Sequence, residues 1–120
     1  MTIGLSAPHA KAALFDPTKG TWMTLPAMKS ARAAASVARL PDERVLLMGG
    51  FKGSLLAPKA TSAVESYVPA TKSFRLEVPL PTPIGGASPM ELATGQALFL
   101  GGLGGVLPAP LDSALLFFPR

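Results

Sequence analysis

Few side chains in this sequence are equipped for chemistry. It holds one histidine, His9, one tyrosine, Tyr67, and no cysteine. A zinc site needs several His, Cys or carboxylate ligands converging on one ion, so a lone His9 reads as a loop residue and no metal site is expected. Without cysteine there is no disulfide framework and no thiolate metal site. Two glycine-rich runs invite phosphate chemistry, Gly49-Gly50-Phe51-Lys52-Gly53-Ser54 and Gly101-Gly102-Leu103-Gly104-Gly105. The first lacks the G-x-x-x-x-G-K-[ST] spacing that cradles phosphates, and no helix pattern follows the second, so both read as turns and no cofactor is expected. There is no Gly-x-Ser-x-Gly elbow, and the carboxylates fall mostly at turn positions instead of forming a facing pair. Asp16, just before Pro17, is placed to accept hydrogen bonds from the N–H groups of a turn, a structural duty. No catalytic residue is expected in this chain.

The elements that would position any site follow from composition and punctuation. Of the residues, 48% are hydrophobic and only 15% charged, and mean hydropathy is +0.38, which excludes a disordered tail and suggests buried sheet. Short apolar runs bounded by Gly, Pro and Asp predict antiparallel strands, and nothing holds a helical period with caps. The alanines of residues 32–40 are the one stretch that resembles helix, but the turn Pro41-Asp42-Glu43 leading into Arg44-Val45-Leu46-Leu47-Met48 makes it the first arm of a hairpin. Strands are expected near 10–15, 21–25, 32–40, 44–49, 62–67, 72–78, 84–92, 96–101 and 112–118. The longest apolar stretch, 97–111, is broken by glycines and prolines, so no membrane insertion is expected. Met1–Ser6 shows no basic start followed by an apolar core, so no signal peptide is read and no compartment is assigned. The formal charge is +4, with eight basic against three acidic residues before Thr61. These charges are single and spaced, without stacking aromatics among them, so no nucleic-acid binding is expected.

An internal period organises the chain. Phe15-Asp16-Pro17-Thr18-Lys19-Gly20-Thr21-Trp22 returns 52 residues later as Tyr67-Val68-Pro69-Ala70-Thr71-Lys72-Ser73-Phe74, and the doublet Gly49-Gly50 returns at the same offset as Gly101-Gly102, each time after an apolar run. A partial third copy of the aromatic strand lies at 113–119. Glycine is expected where strand ends crowd together, because only it tolerates close approach together with positive φ. Trp22, Phe74, Phe15, Tyr67 and Phe117 are expected to fill the space between neighbouring sheets, and the methionines to serve as core filler.

The glycine doublet followed by Tyr67 and Phe74, and the progression Phe15-Asp16-Pro17, Trp22, Leu25-Pro26-Ala27-Met28, Arg32, resemble the Kelch-repeat family over nearly the whole chain. The copies depart from that pattern where Val68 replaces the Asp after the aromatic, Phe74 replaces Trp, and Ile84 stands where Arg32 stood. The resemblance implies an all-β fold of Kelch-type β-propeller blades, each of four antiparallel strands: a partial blade at 10–25, a full blade at 32–78 and a partial blade at 84–119. Propellers have about four to eight blades, so this length makes an incomplete ring, either a fragment of a longer chain or a unit that assembles with others. Self-association through open edges is therefore expected. The function implied is a protein- or carbohydrate-binding module that works through its inter-strand loops. The alternative is part of an extracellular carbohydrate-active propeller enzyme, mutarotase- or oxidase-like, with its catalytic residues outside this chain. The resemblance also implies a basic residue at the start of the first strand of a blade, on the ligand-gripping face. Arg32 occupies that position, with Phe51 and Lys52 beside it: an Arg to hold a carboxylate, or else to pair with a neighbouring blade, and a Phe to offer apolar contact.

Overall fold

The computed structural model describes residues 9–54, 57–104, 109–111 and 114–119. Among these residues there is no helix, and thirteen short strands run in the order β1 (Ala13–Asp16), β2 (Thr21–Thr24), β3 (Ser36–Arg39), β4 (Val45–Met48), β5 (Phe51–Ser54), β6 (Ala57–Ala60), β7 (Val64–Val68), β8 (Ser73–Leu76), β9 (Ser88–Glu91), β10 (Ala97–Leu100), β11 (Leu103–Gly104), β12 (Ala109–Pro110) and β13 (Ala114–Phe117). All pairing is antiparallel. β3-β4-β7-β8 form one sheet and β9-β10-β13 another, while β1-β2, β5-β6 and β11-β12 are two-stranded ribbons.

Each of the nine strands expected from sequence has a shorter counterpart here, β1 and β7 each ending one residue beyond the expected bound, and residues 112–113 of the last lying outside the described residues. The strand expected over 32–40 survives only as Ser36–Arg39, because Ala34 adopts φ 54° and breaks the extended backbone after the isolated bridges of Arg32 and Ala33. The four strands not anticipated are β5, β6, β11 and β12, which fold the β4–β7 and β10–β13 connections into ribbons. Pro58 argues against a strand in sequence terms, since it has no N–H for a ladder. It is accommodated because β6 has a partner on one side only.

The core lies between the two larger sheets. Leu46, Met48 and Val64 from the first meet Ala97 and Phe99 from the second, with Ile84 and Ala87 sealing the approach to β9. β4 and β7 are central strands covered on both faces, so β7 buries even Glu65 and Ser66, which must find polar partners there. The sheets meet along their first strands, β3 lying against β9, and the Ser36 hydroxyl donates across this seam to the Ala87 carbonyl. The ribbon β1-β2 contacts no other strand and its faces stay exposed.

The molecule is a slab of 42 × 41 × 20 Å with a radius of gyration of 14.6 Å, against about 13.5 Å for a compact domain of this length. Its sheets do not close on themselves. Among the described residues each outer strand pairs along one edge only, and Leu76, Val78, Leu116 and Phe118 remain exposed.

Candidate functional site

The β4–β7 and β10–β13 connections emerge at the same end of their sheets, and both begin with a glycine doublet. Gly49 and Gly50 take φ of 63° and 105°, and Gly101 and Gly102 take 67° and 101°. At Gly49 the requirement is steric as well as conformational, since a Cβ there would collide with the Ile84 carbonyl oxygen. The approach is that close because Gly50 N–H donates to Ile84 O at 2.9 Å, joining the first sheet's connection to the segment that leads into the second sheet. Ala33 and Phe51 exchange both backbone hydrogen bonds, as do Gly85 and Leu103. These contacts bring the 77–87 segment, the start of β3 and the β5-β6 ribbon together at one end, with β6 lying against β11 of the neighbouring ribbon.

Within β5-β6 the register is Phe51↔Ala60, Lys52↔Lys59 and Gly53↔Pro58. Directly opposed residues share a face and successive residues alternate, so Phe51 and Ala60 face one way and the two lysines the other. Ala60 is buried, and the Phe51 ring lies over Gly85, where an added Cβ would come within 2.5 Å of its carbons. Phe51 is thus a wedge at the junction of the sheets. Lys52 and Lys59 are exposed. Like charges set directly opposite one another on a ribbon are destabilising, so this pair is a local cost that the fold retains. Residues 49–63 contain no acidic side chain to offset it.

Arg32 lies beneath this end and is 6% exposed. Its Nη2 donates to Glu65 Oε2 at 2.7 Å, and Nη1 donates to the carbonyls of Gly49 and Ala63, both at 3.1 Å. Glu65 in turn accepts from the backbone N–H groups of Lys29, at 2.6 Å, and Ser30, at 3.0 Å. The carboxylate that Arg32 holds is therefore one of this chain's own. Arg32 ties the segment leaving β2 to β7 and to the glycine turn, which makes it a brace beneath the surface carrying Lys52 and Lys59. Its Nε is buried without a hydrogen-bond partner.

A second polar cluster gathers around Ser66, which follows Glu65 along β7 and so faces the other side of the sheet. Glu77 Oε1 accepts from Arg44 Nη1 at 2.9 Å, Ser66 Oγ at 2.6 Å and Arg75 Nη2 at 2.9 Å. Burial pushes the Glu77 carboxyl up, but the Ser66 hydroxyl, Arg75 and Arg44 together outweigh it and hold the group below the ordinary glutamate range. Asp42 is likewise held low, the partial burial that raises it being outweighed by its bonds to Arg44. These groups bind one another.

The remaining expected residues separate. Asp16 does cap its turn, accepting from Thr18 N–H at 2.9 Å and Lys19 N–H at 3.3 Å. Tyr67 and Phe74 stack across β7 and β8 with centroids 5.5 Å apart, and Phe74 is buried. Trp22 corrects the core expectation: it pairs with Phe15 at 5.1 Å yet is 71% exposed, because among the described residues no other strand packs over the β1-β2 ribbon. The methionines also divide, Met48 lying in the core while Met23 and Met90 are exposed. His9 is exposed, its Nδ1 accepting from Lys11 N–H. Among the described residues no three of His, Asp and Glu converge.

Lys59 is the candidate that sequence reasoning missed. Its pairing with Lys52 depends on a ribbon that carries no Asn-Gly or Asp-Gly turn signal and holds a proline in one arm. Comparison with known protein families and with curated proteins gives no match for this chain.

Proposed function

We propose that the chain is a segment of a Kelch-type β-propeller and acts as a binding module for carboxylate-bearing ligands through the ribbon end of its sheets. Support for the propeller reading is the offset of 52 residues that relates β3 and β4 to β9 and β10 in the same pairing register. It also separates the first residues of β5 and β6 from those of β11 and β12, although the β11-β12 register is shifted by two residues. The order β3-β4-β7-β8, with first strands side by side, is what adjacent four-stranded blades around a common axis require.

The observation that carries the binding reading is the opposed, exposed pair Lys52 and Lys59 on a ribbon whose own residues 49–63 include no acid. Two ammonium groups held side by side are relieved when an anion lies between them, so the local cost becomes a gain only in the bound state. Arg32, ion-paired with Glu65 inside the chain, keeps the platform in place.

The test is titration of the protein with a polyglutamate peptide and with an oligogalacturonate, alongside uncharged counterparts of each, at two salt concentrations. One or both anionic ligands should bind, weaken as salt rises, and bind about tenfold less tightly to the Lys52→Ala/Lys59→Ala variant. Equal binding of charged and uncharged ligands, or affinity indifferent to the lysines, overturns the proposal. The two ligands also separate a protein partner from a carbohydrate one.

A further inference from the structure

Charge is unevenly distributed over this molecule. Around the ribbon end stand Lys11, Lys29, Arg32, Lys52 and Lys59, five basic residues against one acid, Glu65. Backbone contacts bring Lys11 and Lys29 to that end: the Met28 N–H donates to Ala10 O, His9 bridges to Arg32, and the Lys29 N–H donates to Glu65. Arg32 and Glu65 are buried against one another, so solvent meets the four lysines. Elsewhere the described charges cancel. Lys19, Arg39 and Lys72 stand against Asp16, Glu43 and Glu91 at or beside the turns, and Arg44 and Arg75 against Asp42 and Glu77 in the network around Ser66. Asp112, in the second connection, and Arg120 lie outside the described residues and offset one another, so the net +4 of the described residues sits at the ribbon end.

The kind of cation selects among anionic partners. A lysine ammonium is a point charge on a flexible stem, whereas the planar fork that grips one carboxylate or phosphate belongs to arginine, and the arginine of this end is engaged by Glu65. Among the described residues none of the four lysines enters an ion pair. No stacking platform adjoins them, since the exposed rings of Phe15 and Trp22 stand beside the 17–20 turn, at the far end of their ribbon. What does adjoin them is apolar. β6 lies against β11, and the β11-β12 ribbon carries no charge, Gly104 standing 52 positions after Lys52. Its directly opposed residues Leu103 and Pro110 are both exposed.

We propose that the ribbon end docks on an anionic lipid surface, the four lysines among the headgroups and the β11-β12 ribbon resting at the edge of the apolar region, with no segment crossing the bilayer. Positive charge drawn from three separate segments and bordered by an uncharged apolar ribbon matches a partner that is extended, negative and apolar beneath its charges. The inference rests on the accessible lysines of the proposed function but not on a carboxylate ligand.

The test is co-sedimentation of the whole protein with phosphatidylcholine vesicles, either pure or holding about 30% phosphatidylserine. Binding is expected to the anionic vesicles alone and should fall as salt rises. Each lysine near such a surface is worth about fivefold in partitioning, so Lys11→Ala/Lys29→Ala should weaken binding about twentyfold. That variant keeps the Lys29 backbone N–H that holds Glu65, and its affinity for polyglutamate should be unchanged. Lys19→Ala/Lys72→Ala removes the same charge from the turns and should leave vesicle binding as it was. Equal binding to both vesicles, equal losses from the two double variants, or equal retention by a dextran sulfate of matching charge overturns the inference. Vesicles ignored while polyglutamate still binds through Lys52 and Lys59 overturns it too and leaves the proposed function standing; vesicle binding that persists while polyglutamate is ignored upholds it and removes the carboxylate reading.

Discussion

Arg32 and Glu65 are both out of water, with side chains 2% and 0% exposed, and each makes the other's burial tolerable. Arg32→Ala would leave the Glu65 carboxylate buried with only backbone donors, at an expected loss of about 3–5 kcal/mol in urea unfolding. Lysine anionic-ligand binding, measured where the variant is still folded, should be affected only through that loss. The position of Arg32 was legible as special from the order of motifs in the sequence. Its partner was not, since Glu65 lies 33 residues away and nothing in the residue types links the two. A second feature at this scale concerns backbone shape. Ala34, Glu43 and Lys72 have φ of 54°, 72° and 51°, and the residues displaced from them by 52 are Gly86, Gly95 and Gly20, which take 71°, 91° and 66°. A left-handed conformation costs a residue with a Cβ about 1–2 kcal/mol, partly offset for glycine by its greater freedom when unfolded. Lys72→Gly is therefore expected to stabilise by about 0.5–1 kcal/mol, read as a higher denaturation midpoint with unchanged slope. An unchanged or lower midpoint would mean that the Lys72 side chain contributes more than its backbone strain costs.

Among the elements, the first sheet carries its pH dependence in the link between β7, β8 and the 41–44 turn. Glu77, just past β8, joins Ser66 of β7 to Arg44 and Arg75, and folding favours its ionised form. A carboxyl depressed by folding contributes its full stabilisation above its unfolded value, near pH 4.5, and loses it as pH falls through that value toward the lower folded one. Acid unfolding should accordingly begin below about pH 4.5. Ser66→Ala, which removes the 2.6 Å bond, should bring the Glu77 titration back toward the ordinary range, as followed by the carboxyl carbon shift in NMR. No movement of that resonance would show that Arg44 and Arg75 alone hold the group. The strands bearing these residues were readable because apolar runs alternate with turn residues. The ribbons β5-β6 and β11-β12 were not, because residues such as Gly53 and Pro58 read as loop, and their pairing comes from the neighbouring sheet fixing both ends of the connection.

For the whole molecule, periodicity in the sequence was enough to anticipate an all-β chain in open sheets, with the two glycine-doublet strands in different sheets. What periodicity did not show was the exposure of Trp22 and Phe15. An equivalent aromatic pair is buried or bare according to what lies over it, and among the described residues no strand lies over β1-β2. The bond from Gly50 to Ile84, with the Phe51 ring resting on Gly85, also has a consequence in time. All four strands of the first sheet have been synthesised once Leu76 is added, yet its ribbon end still lacks a hydrogen-bond acceptor and a surface to rest on. Both arrive only with the leading residues of the next sheet. A nascent chain leaving the ribosome would therefore hold its first sheet unfinished until about ten further residues had followed, so that each unit is sealed by the start of its successor.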